Sequence, residues 1–370
     1  MFVPVNQPNL SGNEKKYLCE CIDSGWISSE GPFVKRFERE MAEQCNRNHG
    51  VAVANGSVAL DTAVVALEIG TGDEVIMPVF TIISCVAAVI RVGAKPIFVD
   101  ADAYTWNMDV SKIEAKITSR TKAIMVVHIY GLPTDMQPVL ELAKKYNLKI
   151  IEDAAEAHGQ NCYGQPCGSF GDVSTFSFYP NKHVTCGEGG MVLVNDKTLA
   201  QRCMDIRNLF FDKDRRYLHS EIGYNFRMTN LQAAVGCAQL ERLAETVLKK
   251  KTIGKKYTEL LTDISVVKLP LKRTDYADNI YWVFGLVLND SCKLDATSLI
   301  KELDARGVQC RHFFYPLHKQ PCLQEYFDYC GESYPVAERL AERGLYLPSG
   351  VGLTEEQQQY VAQQLKTILD

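Results

Sequence analysis

Between about residue 50 and residue 195 of this 370-residue chain, short β-branched runs alternate with helical stretches. The runs occupy residues 50–54, 74–77, 96–99, 123–127, 149–152, 173–176 and 191–194. Several, such as Met191-Val192-Leu193-Val194, are apolar at consecutive positions, so a strand made of them needs cover on both faces. Strands of that kind separated by helices predict an α/β layered domain. Ligands of such sheets bind beyond the carboxyl ends of the strands. Asp153 and Lys182 both fall near strand ends, which puts them in one cleft by topology alone. Further on, Thr229 to Lys255 reads as one long helix leading into a smaller domain. That domain has strands near 265–269 and 281–288 and helices near 296–306 and 355–369, the last with Thr354 as its cap.

The two candidate residues carry chemistry. Phe176-Ser177-Phe178-Tyr179-Pro180-Asn181-Lys182 ends a β-prone run in a hydroxyl and a lone lysine, and a Gly-Glu-Gly-Gly turn over 187–190 follows. This presents one amine beside backbone that a ligand can approach closely. An amine that must condense with an aldehyde needs such a place and a depressed pKa. Upstream, Ile150-Ile151-Glu152-Asp153 sets an acid at the end of an apolar strand. A turn lysine plus a strand-end carboxylate is what pyridoxal 5'-phosphate (PLP) requires, the carboxylate keeping the pyridine nitrogen protonated. A solvated surface lysine and a plain helix-capping Asp are the bland readings, and the pairing argues against both.

Composition narrows the partners. A formal charge of -5, with 46% hydrophobic and 23% charged residues, argues against non-specific binding to nucleic acid or an anionic membrane. No apolar run reaches the length of a membrane span, and no secretory leader is read, so a cytoplasmic enzyme is expected. The 13 cysteines are irregularly spaced without a Cys-x-x-Cys pair and read as reduced thiols, with no metal site expected. Cys186 reads as a small filler in a crowded turn.

The segments Ser177 to Gly190 and Asp153 to Gly159 resemble the lysine and pyridine-nitrogen motifs of the DegT/StrS group of PLP-dependent sugar aminotransferases. Residues 25–28, 55–60, Gly131, 223–228 and 314–318 match in the same order through nearly the whole chain. The resemblance implies the aspartate-aminotransferase-like fold of type I. A large domain (31–245) would carry a mostly parallel seven-stranded sheet. A smaller α+β domain (246–370) would follow, and residues 1–30 would pack with it. It implies PLP, and its pyridoxamine 5'-phosphate form between half-reactions, with L-glutamate as donor and a nucleotide-sugar acceptor. Within the group the chain looks most like members that aminate GDP-linked 4-keto-6-deoxymannose for surface polysaccharide.

By the same resemblance, Lys182 forms the Schiff base and moves protons, and Asp153 pairs with the ring nitrogen. Glu156 lies by the 3'-oxygen, and His158 fills space beneath the ring. Gly56 and Ser57, at a helix start suited to a dianion, hold the phosphate with Ser177. Asn225, helped by Arg227, reaches the neighbouring subunit's phosphate, which implies a homodimer with shared sites. The ring's cover falls to Ile82, where relatives carry an aromatic, or to Phe80. Ala87 stands where several relatives have Asn. Sugar and nucleotide contacts are assigned to Trp26, Ser28, Ser29, His183, Arg311, His312 and His318. A UDP- or dTDP-linked keto sugar, aminated at C4 or C3, is the alternative acceptor. A PLP-dependent sugar dehydratase and a non-catalytic PLP-binding regulator are the readings from other classes, and Lys182 stands against the first.

Overall fold

The computed structural model describes residues 1–326 and 331–369. Its first half runs α1 (Glu14–Ser24), α2 (Pro32–Gln44), β1 (His49–Val53), α3 (Gly56–Ala66), β2 (Glu74–Pro78), α4 (Ile83–Arg91), β3 (Lys95–Val99), β4 (Thr121–Val127) and α5 (Met136–Tyr146). β5 (Lys149–Asp153), the short hairpin β6 (Asn161–Cys162) and β7 (Gln165–Pro166), β8 (Val173–Ser177), β9 (Gly190–Val194) and α6 (Lys197–Arg207) complete the large sheet and its cover. Seven strands pair in the order β1-β9-β8-β5-β4-β2-β3. They match the seven runs read from sequence. Only β9 runs against its neighbours. The carboxyl ends of six strands and the start of β9 therefore share one edge.

The strands are apolar at consecutive positions because each face packs on helices. Val51, Val53, Met125 and Ile151 join one core cluster with Ala59, Leu60, Val86 and Ala200 from α3, α4 and α6. Ala52, Ile124, Ile150 and Phe176 join the other, with Phe37 and Met41 from α2 and Val139 from α5.

The expected single helix over 229–255 is two: α7 (Asn230–Leu240) and α8 (Leu243–Leu261). α7 opens with a Thr229–Gln232 capping box. The chain leaves helical geometry at Arg242, φ -112 and ψ 12. There Glu241 is held by Asn13, Tyr17 and Arg36. α8 crosses between domains: Leu243 lies in the second core cluster, while Ile253, Tyr257 and Leu261 lie in a third. That third core sits under an antiparallel sheet of β10 (Val267–Lys268), β11 (Phe284–Leu288), β12 (Arg311–His312) and β13 (Gly344–Leu347), ordered β10-β11-β13-β12. α9 (Ala296–Ala305), α10 (Pro335–Arg343) and α11 (Glu355–Leu369) complete the small domain. Thr354 and Gln357 exchange capping bonds at the start of α11, as its sequence suggests.

Residues 1–30 do not pack as one piece with the small domain. Val3 bridges Val308, and the Val5 N–H donates to Gln309. α1, however, turns Tyr17 and Cys21 into the core of the large domain beside Phe33 and Phe37, because its apolar residues recur at helical spacing.

Candidate active site

A cleft of about 700 Å³ opens at the shared strand edge. β5 delivers Asp153 to its floor, 3% exposed. One carboxylate oxygen accepts from the Ala155 N–H at 3.0 Å and the other from the Cys85 thiol at 3.4 Å. Burial raises the Asp153 pKa, and the Ala155 N–H and Lys182 oppose it. The next acid, Glu156, lies in the loop after β5 and accepts from the Tyr130 N–H at 2.8 Å. Burial pushes its carboxyl up to about 7, against the pull of Lys182.

Lys182 hangs from the turn after β8, whose Lys182 N–H closes on the Tyr179 carbonyl at 2.9 Å. Its Nζ stands 3.7 Å from Glu156 Oε1 and 3.8 Å from the centroid of the Trp282 ring. Burial pushes the amine below its ordinary pKa, and Glu156 and Asp153 resist. A lysine so placed holds more of its amine in the free, nucleophilic form at neutral pH than one in water.

α3 begins at the cleft with Asn55 capping the Val58 N–H at 3.0 Å. Gly56 is needed here, since a Cβ on it would lie 2.6 Å from the Ser177 Cβ. Gly190 permits the same closeness, its added Cβ falling 2.3 Å from the Asn55 carbonyl oxygen. Gly56, Ser57 and Ser177 thus gather at one helix N-terminus, and Ser57 Oγ meets Ser84 Oγ at 2.7 Å.

Of the two candidates for the cleft's cover, Ile82 lines it and is 44% exposed. Phe80 is 1% exposed and packs among Tyr130, Phe313 and Phe314, so it is core. His158 is buried edge-on against Phe176 and tilted against Phe178, with its pKa driven well below the usual value by burial. Cys186 presses on α7 at Gly236, as a filler does.

The sugar and nucleotide candidates do not gather in this cleft. Trp26 and Ser28 are exposed beside α7, where Trp26 and Ser28 carbonyls hold Asn230, and Ser29 lies next to them. His183 is buried behind the lysine turn, its Nδ1 3.2 Å from the His158 carbonyl. His318 is buried against Tyr334 and bonds Glu338 at 3.1 Å, which makes it a support for the small domain. His312 bonds Thr297 on the outer edge. Arg311 is exposed but pairs across strands with Tyr346, which lines the cleft, so it shares the face of a rim residue. Asn225 and Arg227 bond each other at 2.8 Å outside the cleft. Trp282, Tyr346 and Ser84 line it unannounced by the sequence, while Phe314 and Asn181 line it from within matched segments without a role assigned to them. Trp282, Tyr346 and Ser84 lie in apolar strands, loops or helix starts that carry no local signal.

Residues 8–366 match the DegT/DnrJ/EryC1/StrS aminotransferase family. The chain is 44% identical to GDP-perosamine synthase from Escherichia coli O157:H7, with 98% of each chain covered. It is 42% identical to GDP-perosamine synthase from Caulobacter vibrioides, covering 95% of this chain and 94% of that one. The PLP form of the putative sugar aminotransferase Spr1654 from Streptococcus pneumoniae is similar at a TM-score of 0.92 and 25% identity, covering 100% of this chain and 98% of that one. The residues present fit PLP: a buried acid, an amine whose side chain is 11% exposed, and a glycine-lined helix start that a single Cβ would fill. The chain is therefore a PLP-dependent enzyme and belongs to the DegT/DnrJ/EryC1/StrS aminotransferase family.

Proposed function

We propose that the enzyme moves the amino group of L-glutamate to the C4 ketone of GDP-4-keto-6-deoxy-D-mannose, giving GDP-perosamine for surface polysaccharide. Identity of 42–44% to two GDP-perosamine synthases, along nearly the whole of each chain, is the observation that carries this substrate. When bound, PLP supplies an aldehyde to carry nitrogen and a ring to accept electrons. Asp153 holds the ring nitrogen protonated, and Gly56, Ser57 and Ser177 hold the phosphate. Lys182 Nζ takes the proton from the glutamate α-carbon and, in the return half, delivers a proton to the sugar C4. Glu156 keeps that amine at the cleft floor between the two transfers.

The working unit in this reading is a homodimer in the cytoplasm, with Asn225 and Arg227 reaching the partner's site. Tyr217, Leu218 and Ile222 support it: they are 76%, 51% and 96% exposed, on the segment that leads to Asn225, and a patch of this kind calls for cover. The free cysteines fit a reducing compartment. The test is a competition among acceptors. With glutamate present, the protein should consume the GDP-linked 4-keto sugar far faster than UDP- or dTDP-linked keto sugars. Preference for a UDP- or dTDP-linked acceptor would overturn the substrate while leaving the reaction class intact.

A further inference from the structure

Trp282 comes from the small domain, yet two parts of its indole meet the lysine turn. The Nε1–H donates to the Asn181 carbonyl at 2.8 Å, one residue before Lys182. The ring face meets Lys182 Nζ at 3.8 Å from its centroid. The indole is 5% exposed and held from behind. Lys250 donates to the Trp282 carbonyl at 2.8 Å, and the Tyr130 ring stacks on the indole at 6.0 Å. Gly131, φ 98, lets the loop after β4 approach: a Cβ there would stand 2.4 Å from the Trp282 nitrogen. A rigid ring that meets both the amine and its backbone turn is more than a wall of the cleft.

We infer that Trp282 is a positioning residue for Lys182: its N–H fixes the turn, and its face stabilises the free ammonium between proton transfers. The ring's negative face attracts a cation most strongly where water is excluded. The charged and titratable groups around this amine are Glu156 and Asp153 from β5 and its loop, Cys85 from α4, and His158 and His183 beside the turn. Lys250, from α8, stands behind the indole. Glu156 alone would draw the amine toward one side of the floor. Trp282 gives it a second resting place, tied to the small domain, so the position of that domain is felt at the reacting nitrogen.

The inference rests on Lys182 being the reacting amine. Its first test needs neither substrate nor turnover. Full-length protein freed of cofactor is acetylated with acetic anhydride across a pH series, and modification at Lys182 is followed by peptide mass spectrometry. Trp282→Leu should lower the pH midpoint for Lys182 by about one unit, because the cation loses its ring. Trp282→Phe keeps a face and loses the donor, so it should restore most of the midpoint. In the loaded enzyme it should still lower kcat while leaving KM unchanged. Equal midpoints in wild type and Trp282→Leu, with circular dichroism unchanged, would overturn the inference, as would equal shifts in the Leu and Phe variants. Failure of the wild type to aminate GDP-linked sugars, with the order of midpoints intact, would sink the substrate proposal and leave this inference standing.

Discussion

Glu152 and Asp153 are neighbours on β5, both buried, and they face opposite sides of the sheet. Glu152 accepts from the Gly168, Phe170 and Gly171 N–H groups, the Ser174 hydroxyl and His128. The Thr134 N–H donates to His128 Nδ1, which leaves Nε2 as the ring nitrogen that faces Glu152. Burial would raise the Glu152 pKa, but these donors outweigh it and hold the carboxyl at about 2. Asp153 accepts from one N–H and one thiol, and its pKa stays above the ordinary value. The same strand therefore carries a saturated acid that holds the fold and an undersatisfied one that faces the cleft. Two lysines sheltered from water repeat the contrast, Lys250 buried and Lys182 with a side chain 11% exposed. Lys250 gives its protons to Trp282 and Ser349 carbonyls, while Lys182 has, among the described residues, a carboxylate at 3.7 Å and a ring face. A buried charge left short of partners costs stability, and it is tolerated where a ligand will supply the missing partner.

The largest expected effect falls on Lys182. Lys182→Ala should reduce amination by about 10³-fold or more, since both proton transfer and the amine itself are lost. Its thermal midpoint, read by calorimetry without cofactor, should not fall, because an undersatisfied charge has been removed. A clear fall would mean that Lys182 is structural, and the contrast with Lys250 would collapse.

Next comes the crossed pair on β5. Asp153→Asn should keep the fold and lose most activity at saturating cofactor. Glu152→Gln should lose about 3 kcal/mol of stability at neutral pH, in the range for breaking a buried charged network, and keep its turnover while folded. The sign of the pH dependence follows from a folded pKa of about 2 against an ordinary 4.5. The stability Glu152 contributes is present above the ordinary value and is lost as pH falls through the folded one. The gap between wild type and Glu152→Gln in urea unfolding should therefore close on acidification. A gap as wide in acid as at neutrality would show that shape, not charge, matters at Glu152.

How much of this was legible depends on the range of the signal. The seven strands declare themselves by local apolar runs, and Asp153 and Lys182 by position at strand ends. Gly56, the helix-start glycine that packs on Ser177, is local too. Which acid of the Glu152-Asp153 pair faces the cleft follows from strand alternation only once the sheet's faces are known. Trp282 and Tyr346 reach the cleft through folding of a second domain a hundred or more residues away, and nothing near them in sequence marks it; Phe314 opens a matched segment, but the match says nothing of the cleft. The break at Arg242 arises the same way, from the tertiary cluster of Tyr17, Arg36 and Glu241. Trp26, Ser28 and Ser29 carried a family pattern but no geometry, and within one chain they stand outside the cleft.

The smallest expected effect joins the two halves of the comparison. Lys250→Met removes the donor that the Trp282 and Ser349 carbonyls share, and a thioether of similar length fills the space. Leaving buried carbonyls without a donor should cost about 2 kcal/mol, measured by urea unfolding. If Lys250 serves the fold alone, kcat per folded molecule will be unchanged. If it also steadies the indole against which Lys182 rests, kcat will fall several-fold with KM unmoved, and Trp282→Leu in the same background will add less than it does alone. A double-mutant cycle on kcat thus decides whether the saturated lysine is separate from the undersatisfied one or supports it through a single aromatic ring.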